Sequence, residues 1–582
     1  MLKGIPVSKG ISIGEAHILD RSKLCVLKQN IDTNIVEKEI VRFRSAVEQT
    51  KTQIRETKKK ASMIADKYSI ILDTYTLLLE DDVLVKDTVK KIRMEKVNAE
   101  WAITEILNKS LLMFDSINDS YLKGKKDDLE LVVHGVIRNL LGYSQNALAD
   151  IQKPVILITH TLSPSDIITI PRQNVLGLAT EVGGKTSHVG IFASALGIPS
   201  VVGIKGLTAK INTGDQVIVD GTNGHIITNP SKESLNHYKV KQVEHKKYEE
   251  KLLVNIEKPA ITSDNFRVKL LANIESTHEI KVLKKYGAEG IGLYRTEFLY
   301  LSSQNSPSES DLYSNFKHAV QEIAPHSIVI RTLDIGMDKH LTFLGGNDED
   351  NPALGLRGIR MSLANPDHFI NQIRAILRAS LFGNVKIMYP MISDAQEIIQ
   401  ANSLLEDVKE EMKSKKIPFN ENIQIGAMIE TPSAALCSDQ ILKEVDFISI
   451  GTNDLIQYML AVDRMNEQVA HLYQPYNPAI LKILKQVFDN ANKVGKNVSI
   501  CGELGGDPMA TLFLLGLGNL DSLSMDPHSI PHVKKIICQS NMNDAKEFSD
   551  QLLKMNSTVE IHCFLNDEMR KRYPSDFQES PN

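Results

Sequence analysis

The side chains able to do chemistry fall into one short segment and a scatter of charged residues in the second half of the chain. The segment is Gly183-Gly184-Lys185-Thr186-Ser187-His188, which runs into the apolar helical pattern Val189, Ile191, Phe192, Ala195 and Leu196. A histidine stands where a glycine-rich turn becomes a helix. Glycine permits a tight turn and a close approach of backbone to ligand, and the unpaired N–H groups at a helix start favour negative charge beside the imidazole. Imidazole, with an unperturbed pKa of about 6.5, is neutral and nucleophilic near pH 7, so the setting suits a phosphoryl group carried on His188 and passed onward. Read by itself, the segment is more simply a histidine capping a helix, because glycine-rich turns before helices are common.

The second half holds Arg295 in Gly292-Leu293-Tyr294-Arg295-Thr296-Glu297 and Arg331 in Ile330-Arg331-Thr332-Leu333-Asp334. Glu430 follows in Met428-Ile429-Glu430-Thr431-Pro432, Asn453 and Asp454 in Gly451-Thr452-Asn453-Asp454-Leu455, Arg464 in Val462-Asp463-Arg464, and Cys501 in Cys501-Gly502-Glu503. Guanidinium forks bind phosphate and carboxylate groups bidentately, so Arg295, Arg331 and Arg464 are natural clamps for a small anion. Two separated carboxylates, Glu430 and Asp454, suit a Mg²⁺ that keeps several waters and takes other ligands from substrate oxygens. Singly, each has a plainer reading: surface salt bridges for the arginines, a helix cap for Asp454, an exposed Glu430 and a buried, inert Cys501.

These residues need elements to hold them. At 582 residues the chain exceeds what one hydrophobic core serves, which predicts about two to four domains. Hydrophobic residues at 42%, charged residues at 24% and a net charge of -5 are ordinary for a soluble globular protein and give no reason to expect nucleic acid. The start lacks a signal-peptide core and no apolar run approaches a membrane span, so a cytoplasmic protein without direct membrane insertion is expected. Five cysteines, Cys25, Cys437, Cys501, Cys538 and Cys563, include no C-x-x-C pair and predict neither zinc nor a redox dithiol.

Short β-branched stretches between glycines open the chain as strand and turn. From about 34 to 141 long segments with heptad-like spacing, 36–65 and 68–91, contain no proline or glycine and read as a helical bundle. Strand-like runs resume at 154–158 and continue to 227, so the bundle looks inserted into one α/β domain. A polar Lys- and Glu-rich stretch, 231–253, predicts an exposed helix, read as a linker. After Thr262 candidate strands at 268–273, 290–293, 328–332, 385–389, 425–429, 447–450, 498–501 and 522–525 alternate with helical segments. That pattern predicts a (β/α)8 barrel, whose active sites form just beyond the strands' carboxyl ends. The tail after Arg570 looks poorly ordered.

The Gly183–His188 segment resembles the phosphohistidine signature of the phosphoenolpyruvate-utilising family that includes Enzyme I of the sugar phosphotransferase system, pyruvate phosphate dikinase and phosphoenolpyruvate synthase. Gly197-Ile198-Pro199-Ser200-Val201-Val202-Gly203 and Gly214-Asp215-Gln216-Val217-Ile218-Val219-Asp220-Gly221 resemble its swivelling domain, and the second-half segments resemble its phosphoenolpyruvate-binding barrel. The resemblance implies a multidomain α/β protein: 1–33 and 143–230 as the swivelling phosphohistidine domain, 34–142 as an inserted helical domain that binds the phosphocarrier HPr, 231–262 as linker, 263–570 as barrel and 571–582 as tail. It implies catalytic roles for His188 and Cys501, the latter as proton donor. It further implies substrate binding by Arg295, Arg331, Asn453, Asp454 and Arg464, Mg²⁺ on Glu430 and Asp454, and a homodimer joined through the barrel.

Some positions depart from the family. Ile167 supplies no hydroxyl where relatives carry Thr, Lys185 replaces Arg, Met337 follows Asp334-Ile335-Gly336 in place of Gly, and Lys9 replaces Pro. Lys125-Lys126-Asp127-Asp128 departs from an Arg-containing run, while Glu80, Asp81 and Asp82 read either as part of an HPr-docking surface or as a solvated helix end. Length leaves no room for a nucleotide-binding domain, which favours the Enzyme I branch over a dikinase. The other reading is a catalytically weak regulatory or HPr-binding protein of the same family.

Overall fold

The computed structural model describes residues 1–19, 26–61, 75–76, 78–79, 82–116, 120–142, 151–162, 170, 173–184, 190, 193, 197–301, 306–336, 349, 351–464, 466 and 468–577. The chain divides into two compact units, Met1–Glu250 and Lys251–Asn582.

In the first unit β1 (Leu2–Lys3), β2 (Ile5–Ser8), β3 (Ile11–Leu19), β4 (Val155–Thr159), β5 (Val175–Thr180), β6 (Ser200–Val202), β7 (Gln216–Asp220) and β8 (His225–Thr228) form one sheet, in the order β1-β8-β7-β3-β4-β5-β6-β2. β3 pairs in parallel with β4, Glu15 opposite Val155 through Leu19 opposite Thr159, although the helices Val36–Ala61, Asp82–Glu95, Ala99–Ser116 and Ser120–Leu141 lie between them in sequence. The helical segment therefore interrupts a sheet that closes across it. Every residue of β4 is buried, as expected of a parallel strand covered on both faces. Because side chains alternate along a strand, Ile156 and Ile158 join Val217 and Val219 on one face. Val155 and Leu157 join the other core, which also holds Phe43, Ile92, Ile103 and Val133 of the helices. The helix Lys232–Leu253 buries no residue, in keeping with its polar sequence, and Gln242 Nε2 donates to the Ile11 carbonyl at 2.8 Å.

The second unit is a closed barrel of eight parallel strands: β10 (Arg267–Ile274), β11 (Gly290–Tyr294), β12 (Ser327–Arg331), β13 (Asn384–Tyr389), β14 (Gln424–Ile429), β15 (Phe447–Ile450), β16 (Val498–Ile500) and β17 (Leu520–Met525), with β17 pairing back onto β10. Each falls on an expected strand within a few residues. Alternation sorts the side chains. Val329, Met388 and Met428 join Leu293, Phe447 and Cys501 in one small apolar cluster, while Ile328, Ile330, Ile387, Tyr389, Ala427 and Ile429 join the larger core with the helices.

Two boundaries differ from the sequence reading. β9 (Ala260–Ile261) already pairs antiparallel with β10, so the expected linker, 231–262, ends inside the barrel sheet. The expected loose tail begins too early: the helix Thr558–Arg572 runs past 570, and Tyr573 is buried with its hydroxyl 2.9 Å from Ser540 Oγ. Lys535 Nζ donates to Asp576 Oδ2 at 2.7 Å, so tertiary contacts hold a segment whose composition suggests none.

Candidate active site at the carboxyl ends of the barrel strands

Arg331, the last residue of β12, is 8% exposed and is held on two sides. Its Nη2 donates to Glu297 Oε1 at 2.8 Å, and its Nη1 lies 2.9 Å from Asp334 Oδ2. Burial opposes the charge, but Glu297, Asp334 and Glu430 more than offset it and raise the pKa above its ordinary value. The strand end is set from behind by a buried chain in which Gln372 Nε2 donates to Thr296 Oγ1, which donates to the Arg331 carbonyl. Gln372 also accepts from the Leu333 N–H at 3.0 Å.

Arg357 completes the pairing of Asp334. Its Nε donates to Asp334 Oδ1 at 3.1 Å and its Nη2 to Oδ2 at 3.0 Å, while the same Nη2 lies 3.2 Å from Asp454 Oδ2. Burial works to raise the Asp334 pKa, but the two guanidinium groups hold it below the usual carboxylate range. Glu430 differs. Only 2% exposed, it accepts the Met391 N–H on Oε1 at 2.7 Å, and burial together with the Asp334 and Asp454 charges pushes it up to about 8. Met391 presents that N–H from a left-handed conformation, φ 57°. Gly451 admits the carboxylate, since a Cβ there would stand 2.7 Å from Glu430 Oε2.

Carboxylate oxygens of Asp334, Glu430 and Asp454 lie within 4.8 Å of one another, a group able to hold a metal ion. The donor set discriminates among them. Both Asp334 oxygens are engaged by arginines, whereas Glu430 Oε2 and Asp454 Oδ1 have no hydrogen-bond partner among the described residues. Two free, hard oxygen donors in a site with excess negative charge fit a Mg²⁺.

The helix Thr452–Leu460 carries Asn453 and Asp454 in its first turn. Asp454 is not its cap, which is Gly451. Asn453 exchanges two hydrogen bonds with Glu503: Nδ2 donates to Oε1 at 3.2 Å, and Oδ1 accepts the Glu503 N–H at 2.8 Å. Tyr473 donates to the Asn453 carbonyl at 3.3 Å and also contacts Arg464. Arg295, just beyond β11, meets Glu275 at 2.8 Å in a partly exposed pair. Cys501 follows β16, 2% exposed, with Sγ 3.6 Å from the Ile450 carbonyl. Burial pushes its thiol up to about 11, with Glu430 raising it and Arg331 and Arg295 lowering it, so the group is protonated at neutral pH.

Arg295, Arg331, Glu430, Asn453, Asp454 and Cys501 therefore all stand at the same end of the barrel, at or within a few residues of the ends of their strands, and Arg464 joins them through Tyr473. Arg357 is the residue that strand-end reasoning misses. It follows no strand but sits in the 351–358 loop, and its only sequence signal is an arginine between Leu356 and Gly358 in a glycine- and proline-bearing run. Asp334 stands in a quoted motif, yet its pairing with two arginines is visible only in three dimensions. His188 lies outside the described residues, as do Ile167, Lys185, Met337, Glu80 and Asp81. Lys9 is described, and Gly10 beside it has φ 114°.

Comparison with known proteins bears on the whole chain. The family described as PEP-utilising enzyme, PEP-binding domain matches residues 249–542, the N-terminal domain of the same enzymes matches 3–125, and their mobile domain matches 151–224. A phosphoenolpyruvate-protein phosphotransferase of Bacillus sp. (strain S) is 40% identical over 97% of either chain. Those of Bacillus subtilis (strain 168) and Haemophilus influenzae are 39% and 38% identical, covering 98% and 96% of this chain and 100% and 98% of their own. With three successive domain matches and relatives aligned nearly end to end, the chain belongs to the phosphoenolpyruvate-protein phosphotransferase family, Enzyme I.

Proposed function

We propose that the protein transfers the phosphoryl group of phosphoenolpyruvate to His188 and from there to a histidine of HPr, releasing pyruvate. The observation that carries this reading is the meeting, at one end of the barrel, of a buried and a partly buried guanidinium group, Arg331 and Arg357, with several carboxylates and a thiol held neutral. Phosphoenolpyruvate presents a phosphate and a carboxylate, and Arg295, Arg331, Arg357 and Arg464 with Asn453 provide donors for both. Arg331 Nε supports the assignment: it is a buried N–H with no partner among the described residues, a group that an anionic ligand would satisfy. Glu430 and Asp454 would hold Mg²⁺, which when bound supplies charge neutralisation at the phosphate.

In the transfer the imidazole nitrogen of His188 forms the new bond to phosphorus as the bridging P–O bond breaks, and its electrons pass to the enolate of pyruvate. Cys501 then gives its thiol proton to the enolate carbon. Positioning and charge neutralisation dominate such a step, which suits a site built from arginines on rigid strand ends. The family reading also carries a homodimer joined through the barrel units and a cytoplasmic setting. Among the described residues no helix is long and apolar enough to cross a membrane. Incubation with labelled phosphoenolpyruvate and Mg²⁺ tests the function: acid-labile, base-stable label on the protein is expected, passing to HPr when HPr is added. No label would overturn it.

Glu430→Gln and Asp454→Asn should each raise the Mg²⁺ concentration for half-maximal activity by roughly ten- to hundredfold, a loss typical even of residues that merely support a metal ligand. A metal titration of uptake measures it, and unchanged dependence in both variants would move the metal elsewhere. A fragment ending at Lys251 retains the first unit and loses the whole barrel site. It is expected to exchange phosphate with phospho-HPr yet accept none from phosphoenolpyruvate. A folded fragment that takes label directly from phosphoenolpyruvate would put the substrate site in the wrong unit.

A further inference from the structure

Resting on the function proposed above, we infer that Tyr458 is a positioning residue for the phosphoenolpyruvate step, its phenol fixing the Arg357 guanidinium and the 351–358 loop to the helix that carries Asn453 and Asp454. The phenol oxygen accepts from Arg357 Nη1 at 3.0 Å, and its O–H donates to the Ala353 carbonyl. One hydroxyl thus grips the loop by its backbone and by its functional side chain. Tyr458 lies four residues after Asp454 on the helix Thr452–Leu460, so the two share a face and reach Arg357 together.

A guanidinium has five N–H groups in one plane. Asp334 takes two of them, Asp454 a third and Tyr458 a fourth, which leaves one Nη1 N–H without a partner among the described residues. With Nε, Nη2 and Nη1 all tied, the plane and the direction of that last donor are set before an anionic substrate arrives. Without the phenol, the Nη1 end loses its only fixed acceptor. The loop loses its backbone tether at Ala353 as well, while the Leu356 N–H bond to Glu349 and the bonds from Arg360 to the Leu354 and Gly355 carbonyls remain.

A purely structural role fits poorly. Leu455 and Ile456 of the same helix belong to the barrel's buried core and Met459 and Leu460 pack against it, whereas Tyr458 does neither. Tyr458→Phe keeps the ring and removes one hydroxyl, so folding should persist.

The test is a double-mutant cycle on kcat/KM for phosphoenolpyruvate-dependent phosphorylation of HPr, using the full chain, Tyr458→Phe, Arg357→Lys and both together. Tyr458→Phe should lower kcat/KM roughly tenfold, the factor of one hydrogen bond to a charged group. It should leave phosphoryl exchange between phospho-HPr and the protein unchanged, because that reaction bypasses the barrel. Arg357→Lys should cost more, and the double variant no more than Arg357→Lys alone, since a hydroxyl acting through the guanidinium has nothing left to position. Full activity in Tyr458→Phe would overturn the inference. So would a loss that multiplies undiminished in the Arg357→Lys background, or one that appears equally in the exchange reaction. Should Arg357→Lys fail to fold, the contrast between forward transfer and exchange in Tyr458→Phe still decides. A parent protein that takes no label from phosphoenolpyruvate would instead remove the functional reading and this inference with it.

Discussion

Replacing His188 by alanine is expected to abolish phosphoryl uptake from phosphoenolpyruvate and exchange with phospho-HPr alike. On the function proposed above the imidazole is the acceptor in both reactions, and no neighbouring side chain in Gly183-Gly184-Lys185-Thr186-Ser187 offers a nitrogen of comparable nucleophilicity near neutral pH. A lysine of ordinary pKa, about 10.4, is protonated there. The barrel should be untouched, since His188 belongs to the first unit and the barrel residues lie in the second. Substrate binding measured by calorimetry should therefore survive while label incorporation falls to background. Stable label on the His188→Ala protein would sink the assignment of the acceptor.

Cys501→Ser should slow pyruvate formation by roughly 10²- to 10⁴-fold, the usual contribution of a positioned general acid, with phosphoenolpyruvate binding retained. The thiol is raised to about 11 by burial, so below that pH it keeps its proton, and no loss of activity from Cys501 ionisation is expected across the neutral range. Its apolar neighbours, Leu293, Val329, Met388, Met428 and Phe447, carry no proton to give. A serine hydroxyl has nearly the same shape but is a far weaker acid toward an enolate carbon. Pyruvate release followed by a coupled assay measures the effect. Turnover equal to the parent would mean that another group donates the proton.

The barrel was legible in the chain because both faces of its strands are buried. Segments such as Ile328-Val329-Ile330 and Phe447-Ile448-Ser449-Ile450 therefore appear as short, nearly continuous apolar runs, each followed within a few residues by a charged side chain. Reading what comes directly after each run leads to Arg295, Arg331, Glu430, Asn453, Asp454 and Cys501. The helical segment was equally plain, since long heptad spacing without proline or glycine excludes strands. Composition alone misled at the tail, where Tyr573 and Asp576 are held by Ser540 and Lys535, residues distant in sequence.

Only the tertiary structure decided which charges meet. Arg357 follows no strand, so periodicity says nothing of it, yet barrel closure brings it to the segments after β12 and β15 and gives it Asp334, Asp454 and Tyr458 as partners. That pairing separates two carboxylates with free oxygens, Glu430 and Asp454, from a third, Asp334, that is fully engaged. The parallel pairing of β3 with β4 across the helical insertion was likewise a matter of space and not of neighbouring residues. Local sequence determines where strands and helices form, because backbone preference and burial act over a few residues. Ion pairs, pKa shifts and the role of a half-buried phenol depend on groups that chain connectivity leaves far apart and packing brings within about 3 Å, the range over which hydrogen bonds act.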